Sequence, residues 1–307
     1  MLVKIKSIKE KLMKLGIIGG SGLYDIDGIE NVQEVRIDTP FGSPSDAFFT
    51  GKLAGTEVVF LPRHGRGHVH LPGELNHRAN IFGMKKLGVE KILSISAVGS
   101  LKENLVPRDV VIVDQYFDRT KRAMDQTFFG NGIAAHITFG EPVCQNLAQL
   151  AFDAAQEAIL EVNHEGDLPK AHWGGTYINM EGPAFSTKAE SNVYRQWGMD
   201  VIGMTNLAEA KLAREAEICY CTVAMVTDYD CWHPDHDHVT VEMVVANLVA
   251  NSTLAKTIIR KVAENKAKLE ASDCSCNSAL ACALITDKTK IPEKLKQDLS
   301  PIIGKYI

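Results

Sequence analysis

Apolar residues recur along this chain in two rhythms. Near-continuous runs at 14–20 (KLGIIGG), 57–62 (EVVFLP), 91–99 (KILSISAVG), 109–114 (DVVIVD), 199–203 (MDVIG) and 218–228 (ICYCTVAMVTD) read as strands buried on both faces. Between them the spacing changes to three and four residues. HRANIFGMKKLG (77–88), PVCQNLAQLAFDAAQEAIL (142–160), TKAESNVYRQWG (187–198), NLAEAKLAREAE (206–217) and the long stretch 239–270 follow this period, which predicts amphipathic helices. Strands alternating with helices predict an α/β sandwich around a largely buried sheet. No linker, repeat or low-complexity tract interrupts the pattern, so residues 1–307 are expected to form one domain, with 1–13 a basic extension leading into the first strand. The segment 115–141 is polar, dotted with glycine and weakly periodic, and reads as a long functional loop.

Composition narrows the function classes. The 307 residues are 45% hydrophobic and 23% charged, ample for a large core and without the bias of a disordered chain. A formal net charge of −5 gives no bulk attraction to nucleic acid or to an anionic membrane. No apolar run reaches the ~18 residues that span a bilayer. The opening MLVKIKSIKEKLMK lacks the apolar core and cleavage site of a secretory signal. Seven cysteines, odd in number and thinly spread, fit reduced thiols in the cytoplasm better than a disulfide framework.

Candidate chemistry gathers at strand ends. GIIGGSG (16–22) places small residues and the Ser21 hydroxyl where backbone N–H groups can approach an anion, but its spacing fits none of the familiar glycine-rich templates, and a plain turn is an equal reading. LPRHGRGHVH (61–70) offers Arg63 to fork onto an oxyanion and His64 as a further donor. A His64/His68 metal pair is disfavoured because Gly65 and Gly67 break the helix it would need. SISAVGSL (94–101) ends a strand in Ser96, Ala97 and Gly99, the usual place for ligands in open α/β sheets. CWHPDHDH (231–238) lacks metal-site spacing and reads as a solvated loop before a helix. MEGPAFST (180–187) and IGMTN (202–206) sit where strand passes to helix, with Glu181 either a buried cap acceptor or a sugar-hydroxyl binder.

Taken in order, GIIGGSGL, DTPFGSPSD, RHGRGH, ANIFGMKKLG, SAVGSL, DRT, MEGPAFST, AESNVYRQWGMDVIGMT and AMVTDYDCW resemble the S-methyl-5′-thioadenosine phosphorylases of the trimeric purine nucleoside phosphorylase family, over nearly the whole chain. The resemblance implies a three-layer sandwich with a central mixed, twisted β-sheet flanked by helices. It implies orthophosphate held by Ser21, Arg63, His64, Ser96, Ala97 and Thr205, with Met204 under the ribose and Phe185, Thr227, Tyr229, Asp228 and Asp230 at the substrate. Ser186 and Val241 fall at positions that select the purine and the 5′ substituent, and Val244, one helical turn from Val241, would extend an apolar wall. His136 matches a residue that reaches the neighbouring subunit's site, so a homo-oligomer, a trimer or a dimer of trimers, is expected. No metal and no organic cofactor are expected, since orthophosphate is the co-substrate. The partners are a nucleoside and phosphate, not nucleic acid or membrane. Three departures stand out. Ala184 replaces the family's arginine, the extension before Lys14 has no counterpart, and 273–288 (DCSCNSALACALITDK) resembles archaeal and some bacterial members, with Cys274 and Cys276 expected as free thiols.

The pair Asp228 and Asp230, directly after the strand at 218–228, acquires a task in this setting. Cleaving a nucleoside's glycosidic bond generates an oxocarbenium-like sugar, and the departing purine leaves readily once its N7 is protonated. An ordinary Asp, with a pKa near 3.9, is ionised at neutral pH. Burial beside a second carboxylate raises that value, so Asp228 is the expected general acid at N7 and Asp230 its assistant at the 6-amino group. A 6-amino group donates to a carboxylate whereas a 6-oxo group is repelled by it, which favours adenine over a 6-oxopurine or methylthioinosine. The rival readings are a hydrolytic nucleosidase, a 6-oxopurine phosphorylase and a nucleoside-sensing binding protein without chemistry.

Overall fold

Why the long apolar runs sit at the middle of the molecule follows from their neighbours. The computed structural model describes residues 13–20, 23, 28–162, 167–234, 241–271 and 274–307, and of residues 241–244 and 246 the backbone alone. Strands β1 (Lys14–Gly19), β4 (Thr56–Pro62), β5 (Val89–Ser100) and β11 (Cys219–Asp228) form its parallel centre, and β11 is buried at all ten positions. Around them lie β2 (Ile29–Val35), β3 (Phe48–Leu53), β6 (Val110–Ile112), β7 (Gln115–Arg119), β8 (Ala171–Trp173), β9 (Thr176–Met180) and β10 (Val201–Gly203). Together the described strands make one mixed sheet, running β2-β3-β4-β1-β5-β10-β9-β7 with β11, β6 and β8 branching from β5.

Helices cover both faces, as the two rhythms predict. Leu15, Ile17, Leu93, Cys221, Val223 and Met225 pack against α2 (Gln145–Glu161) and α5 (Val241–Glu264). The alternate residues Ile18, Ile92 and Tyr220 face α1 (His77–Lys86) and α4 (Asn206–Glu215), with α3 (Lys188–Gln196) beside β9 and β10. Glycine 16 permits this approach on the α1 face. A Cβ there would lie 2.8 Å from Val89 and 3.2 Å from Met84 Sδ.

Two departures from the sequence expectation have a common cause. The segment 115–141 is not all loop, because it opens with β7, and β2 was not anticipated at all. Both are largely exposed edge strands, so neither carries the apolar signature of a buried one. Strands β3, β8 and β9 were not anticipated either, being short and interrupted by polar positions. The expected helix over 239–270 also breaks at Asn265, where α6 (Lys266–Glu270) begins.

Strand β5 positions the site. One edge pairs with β1 up to Ser94 and with β10 from Gly99, leaving residues 95–98 without a strand partner there. The opposite edge is held by β11 from Lys91 to Gly99. The gap in the sheet opens at the C-terminal ends of β1, β4, β5 and β11, where ligands bind in folds of this kind.

Candidate active site

The gap leads into a cavity of about 260 Å³. Arg63, His64, Ser96, Ala97 and Thr205 line it toward Ile95 of β5 and Thr227, Asp228 and Asp230 toward Gly99, and Met204 and Phe185 also border it. The described residues expected at the site therefore largely converge. Ser21 lies outside the described residues, as do the side chains of Val241 and Val244.

At the acidic end a bulge sets the geometry. The register of β11 on β5 slips between Val226 and Asp228, so that Asp228 rather than Thr227 pairs with Gly99. A bulge of this kind re-aims the following side chain. Gly99 makes room for it, since a Cβ there would lie 2.9 Å from Asp228 Oδ1. Asp228 accepts from Thr227 Oγ1 at 2.7 Å and from the Asp230 N–H at 2.8 Å. Burial nevertheless holds its carboxyl above the usual carboxylate range. Asp230, with φ of +50°, is pushed up to about 6 by burial, with the Asp228 charge adding to it. The nearby Ser191 side chain offsets part of that rise, and Asp230 Oδ2 has no hydrogen-bond partner among the described residues. The pair thus holds a proton more readily than two free aspartates, and Asp230 is the less satisfied member. Asn247 and Asn251 of α5 pin the strand end by donating to the Thr227 and Val226 carbonyls at 2.7 and 3.0 Å.

At the anion-seeking end the charges are already matched. Arg63, 2% exposed, donates through Nε to Glu209 Oε1 at 2.6 Å and through Nη1 to the Ile95 carbonyl at 2.9 Å. Its Nη2 donates to Ser94 Oγ at 2.5 Å and to Glu209 Oε2 at 3.3 Å. Of the five guanidinium N–H groups, one on Nη1 is left for a ligand. Burial opposes the ionisation of Glu209, yet the adjacent Arg63 charge holds it below its usual range. Tyr220 O–H and Ser94 O–H complete its shell at 2.9 and 2.7 Å, and Asn206 ties both to the start of α4.

His64 has a defined tautomer. Its Nδ1 lies 2.9 Å from the His70 carbonyl, which only accepts, so the proton sits on Nδ1 and the neutral ring presents a lone pair at Nε2. Burial, then the Arg63 charge, pulls the ring's pKa down to about 4. The His64 and His68 rings stack face to face at 4.3 Å rather than converging on a point, which speaks against the metal alternative.

Several expected residues stand elsewhere. Tyr229 packs on Trp232 and His233, its hydroxyl 3.3 Å from the Glu103 carbonyl, and does not line the cavity, because successive residues at the end of a strand face opposite ways. Ser186 sits behind Met180, its hydroxyl 3.7 Å from the sulfur. His136 is exposed, its backbone N–H donating to the Ala283 carbonyl. Glu181 accepts the Lys121 N–H at 2.7 Å and caps no helix, for Thr187 and Glu190 cap α3. Ala184 is exposed. Of CWHPDHDH only residues 231–234 are described; there Trp232 donates to the Ser100 carbonyl at 2.7 Å. The α5 residues Leu248 and Ser252 in the wall, and Glu209 behind Arg63, were not anticipated. An acidic residue on the buried face of α4 was the available signal for Glu209.

Among the described residues no helix is long and apolar enough to cross a membrane. The model of the phosphorylase superfamily matches residues 14–264. S-methyl-5′-thioadenosine phosphorylase of Koribacter versatilis is 58% identical, covering 95% of this chain and 96% of its own length. That of Geobacter sulfurreducens is 55% identical, over 95% and 99%. Among solved structures, a methylthioadenosine phosphorylase from an antarctic soil metagenomic library superposes with a TM-score of 0.87 at 43% identity, covering 95% of this chain and 99% of that one. Methylthioadenosine phosphorylase from Schistosoma mansoni in complex with adenine gives 0.78 at 33%, over 95% and 98%.

Proposed function

The chain belongs to the phosphorylase superfamily, within it to the S-methyl-5′-thioadenosine phosphorylases, and from its site we propose how it carries out their reaction. It is an enzyme, a pentosyltransferase, that cleaves S-methyl-5′-thioadenosine with orthophosphate to adenine and 5-methylthio-D-ribose 1-phosphate. The observation that carries the mechanism is one cavity with a proton-holding acidic pair at one end and an anion-seeking set at the other.

In this reading the purine lies against Asp228 and Asp230. Their shared proton passes to N7 as the glycosidic bond breaks, and the ionised partner accepts from the 6-amino group, which selects adenine over 6-oxopurines. Met204 packs under the ribose. Orthophosphate, the nucleophile, lies against Arg63, His64, Ser96, Ala97 and Thr205, with Ser21 completing the set, at the N-terminus of α4, where an anion is favoured. Because Arg63 is neutralised by Glu209, the anion relies on oriented donors as much as on net charge. His64 either accepts the phosphate's own P–OH proton or takes up a proton as the anion binds.

The reaction needs no metal and no organic cofactor at this cavity. The exposed His136, on the segment after β7, supports a closed trimer or dimer of trimers in which it reaches a neighbour's site. A cytoplasmic location accords with seven cysteines none of which is in a disulfide. Adenine release measured spectroscopically, as orthophosphate is titrated from zero at saturating nucleoside, tests the reading. Release must vanish without phosphate, and phosphate-independent release refutes it in favour of hydrolysis.

A further inference from the structure

At the end of β11 opposite Asp228, four cysteines that are far apart in sequence converge. Cys144 directly precedes α2, Cys219 opens β11, and Cys274 and Cys276 lie in the turn after α6. Their sulfur atoms all lie within 4.8 Å of one another, and Cys219 and Cys274 are 3.3 Å apart. The sequence suggests thinly spread, reduced thiols, with Cys274 and Cys276 free. Only the fold makes them a set.

The geometry suits one kind of ligand. A tetrahedral ion with metal–sulfur bonds of about 2.3 Å sets its sulfurs about 3.8 Å apart, so the 3.3 Å pair must open by about 0.5 Å and the wider pairs close by about 1 Å at most to form a coordination sphere. The 3.3 Å separation is well beyond the ~2.05 Å of a disulfide. We propose that Cys144, Cys219, Cys274 and Cys276 form a structural tetrathiolate site for a single thiophilic divalent cation of the zinc class.

Soft thiolates select such an ion over magnesium or calcium. Binding releases four thiol protons and leaves a centre of net charge −2. Two features offset that charge. The Lys91 ammonium, 6% exposed, lines the same cavity as Cys219 and Cys274 while donating to the Ala271 carbonyl at 3.2 Å. Cys144 stands at the positive end of α2, a helix of 17 residues. That cavity also supplies an entry path for the ion. With four protein ligands the site has no open position, so its role is structural. Strand β11 separates it from Asp228 by about 30 Å, too far to touch the reaction. What it fastens is the C-terminal segment, whose Leu280, Ile302 and Ile303 pack into the α1 and α4 face of the core.

The test uses the full chain, expressed with added zinc, purified under reducing conditions and assayed for metal by plasma mass spectrometry. About one zinc per chain is expected, falling to below about a tenth in Cys276→Ser. Cobalt(II) substitution should give the intense visible bands of a tetrahedral cobalt thiolate. Stripping the zinc with a strong chelator should lower Tm by about 5 °C or more, with kcat unchanged. Should Cys276→Ser fail to fold, metal content and the cobalt spectrum of the unaltered chain decide. A metal-free chain with four titratable thiols at these positions, or disulfides among them in unreduced peptide maps, overturns the proposal.

Discussion

Replacing Arg63 and Glu209 singly and together separates two duties of one buried ion pair. Arg63→Met strands the Glu209 carboxylate, 1% exposed, with only the Ser94 and Tyr220 hydroxyls as donors. Losing one partner of a buried pair costs about 3–5 kcal/mol. Glu209→Leu strands the guanidinium in the same way. In the double variant both charges are gone, and Ser94 and Tyr220 still meet Asn206. The remaining loss is the donor to the Ile95 carbonyl, about 1–3 kcal/mol. The double variant should therefore be more stable than either single variant by about 2 kcal/mol, as read from urea unfolding. Phosphate affinity should not follow that recovery. Arg63→Met and the double variant both lose a charge-assisted donor worth about 1.5–3 kcal/mol, so the phosphate KM should rise about 10- to 100-fold in each while the nucleoside KM changes little. A double variant with an unaltered phosphate KM would show that Arg63 serves the sheet alone, and single effects that simply add would refute the coupling.

Asp228→Asn should slow methylthioadenosine cleavage by about 100-fold or more and raise methylthioinosine cleavage relative to it, because the amide can donate to O6; equal loss of both with the fold intact would reduce Asp228 to a loop support. Anion binding should raise the His64 pKa from about 4, so phosphate binding takes up a proton between the free and bound values, and the phosphate KM should climb with pH across that window; a flat profile that His64→Asn leaves unchanged would contradict this. The acidic pair runs the same way, since Asp230 gives up its proton as pH rises through about 6, and kcat should decline on the alkaline side. Gly99→Ala should displace Asp228 by a few tenths of an ångström and lower kcat by about 10-fold or more with little change in Tm, and an unchanged kcat would mean the carboxylate position is not critical.

What was legible in the sequence was what a buried strand must say locally. The runs that became β1, β4, β5 and β11 are apolar on both faces, so their pattern survives without knowing their neighbours. Arg63 just past β4, Asp228 at the end of β11 and Ser96 in the last half of β5 inherit a shared location from the parallel topology. Edge strands β2 and β7 gave no such signal because water faces them. Long-range partnerships were also hidden. Glu209 meets Arg63 across 146 positions, and nothing near either residue announces the other. Tyr229 illustrates the opposite limit, since its neighbours face the cavity while its own side chain turns to Trp232. The four converging cysteines belong to the same class as Glu209, dispersed in the chain and assembled only by the sheet.

The most direct test of the central claim follows phosphorus and purine together. With S-methyl-5′-thioadenosine and orthophosphate, phosphorus NMR should show a sugar 1-phosphate resonance growing as orthophosphate falls, mole for mole with free adenine. Adenine that accumulates with orthophosphate unchanged and free 5-methylthioribose in solution, or a bound nucleoside that stays intact, would contradict it.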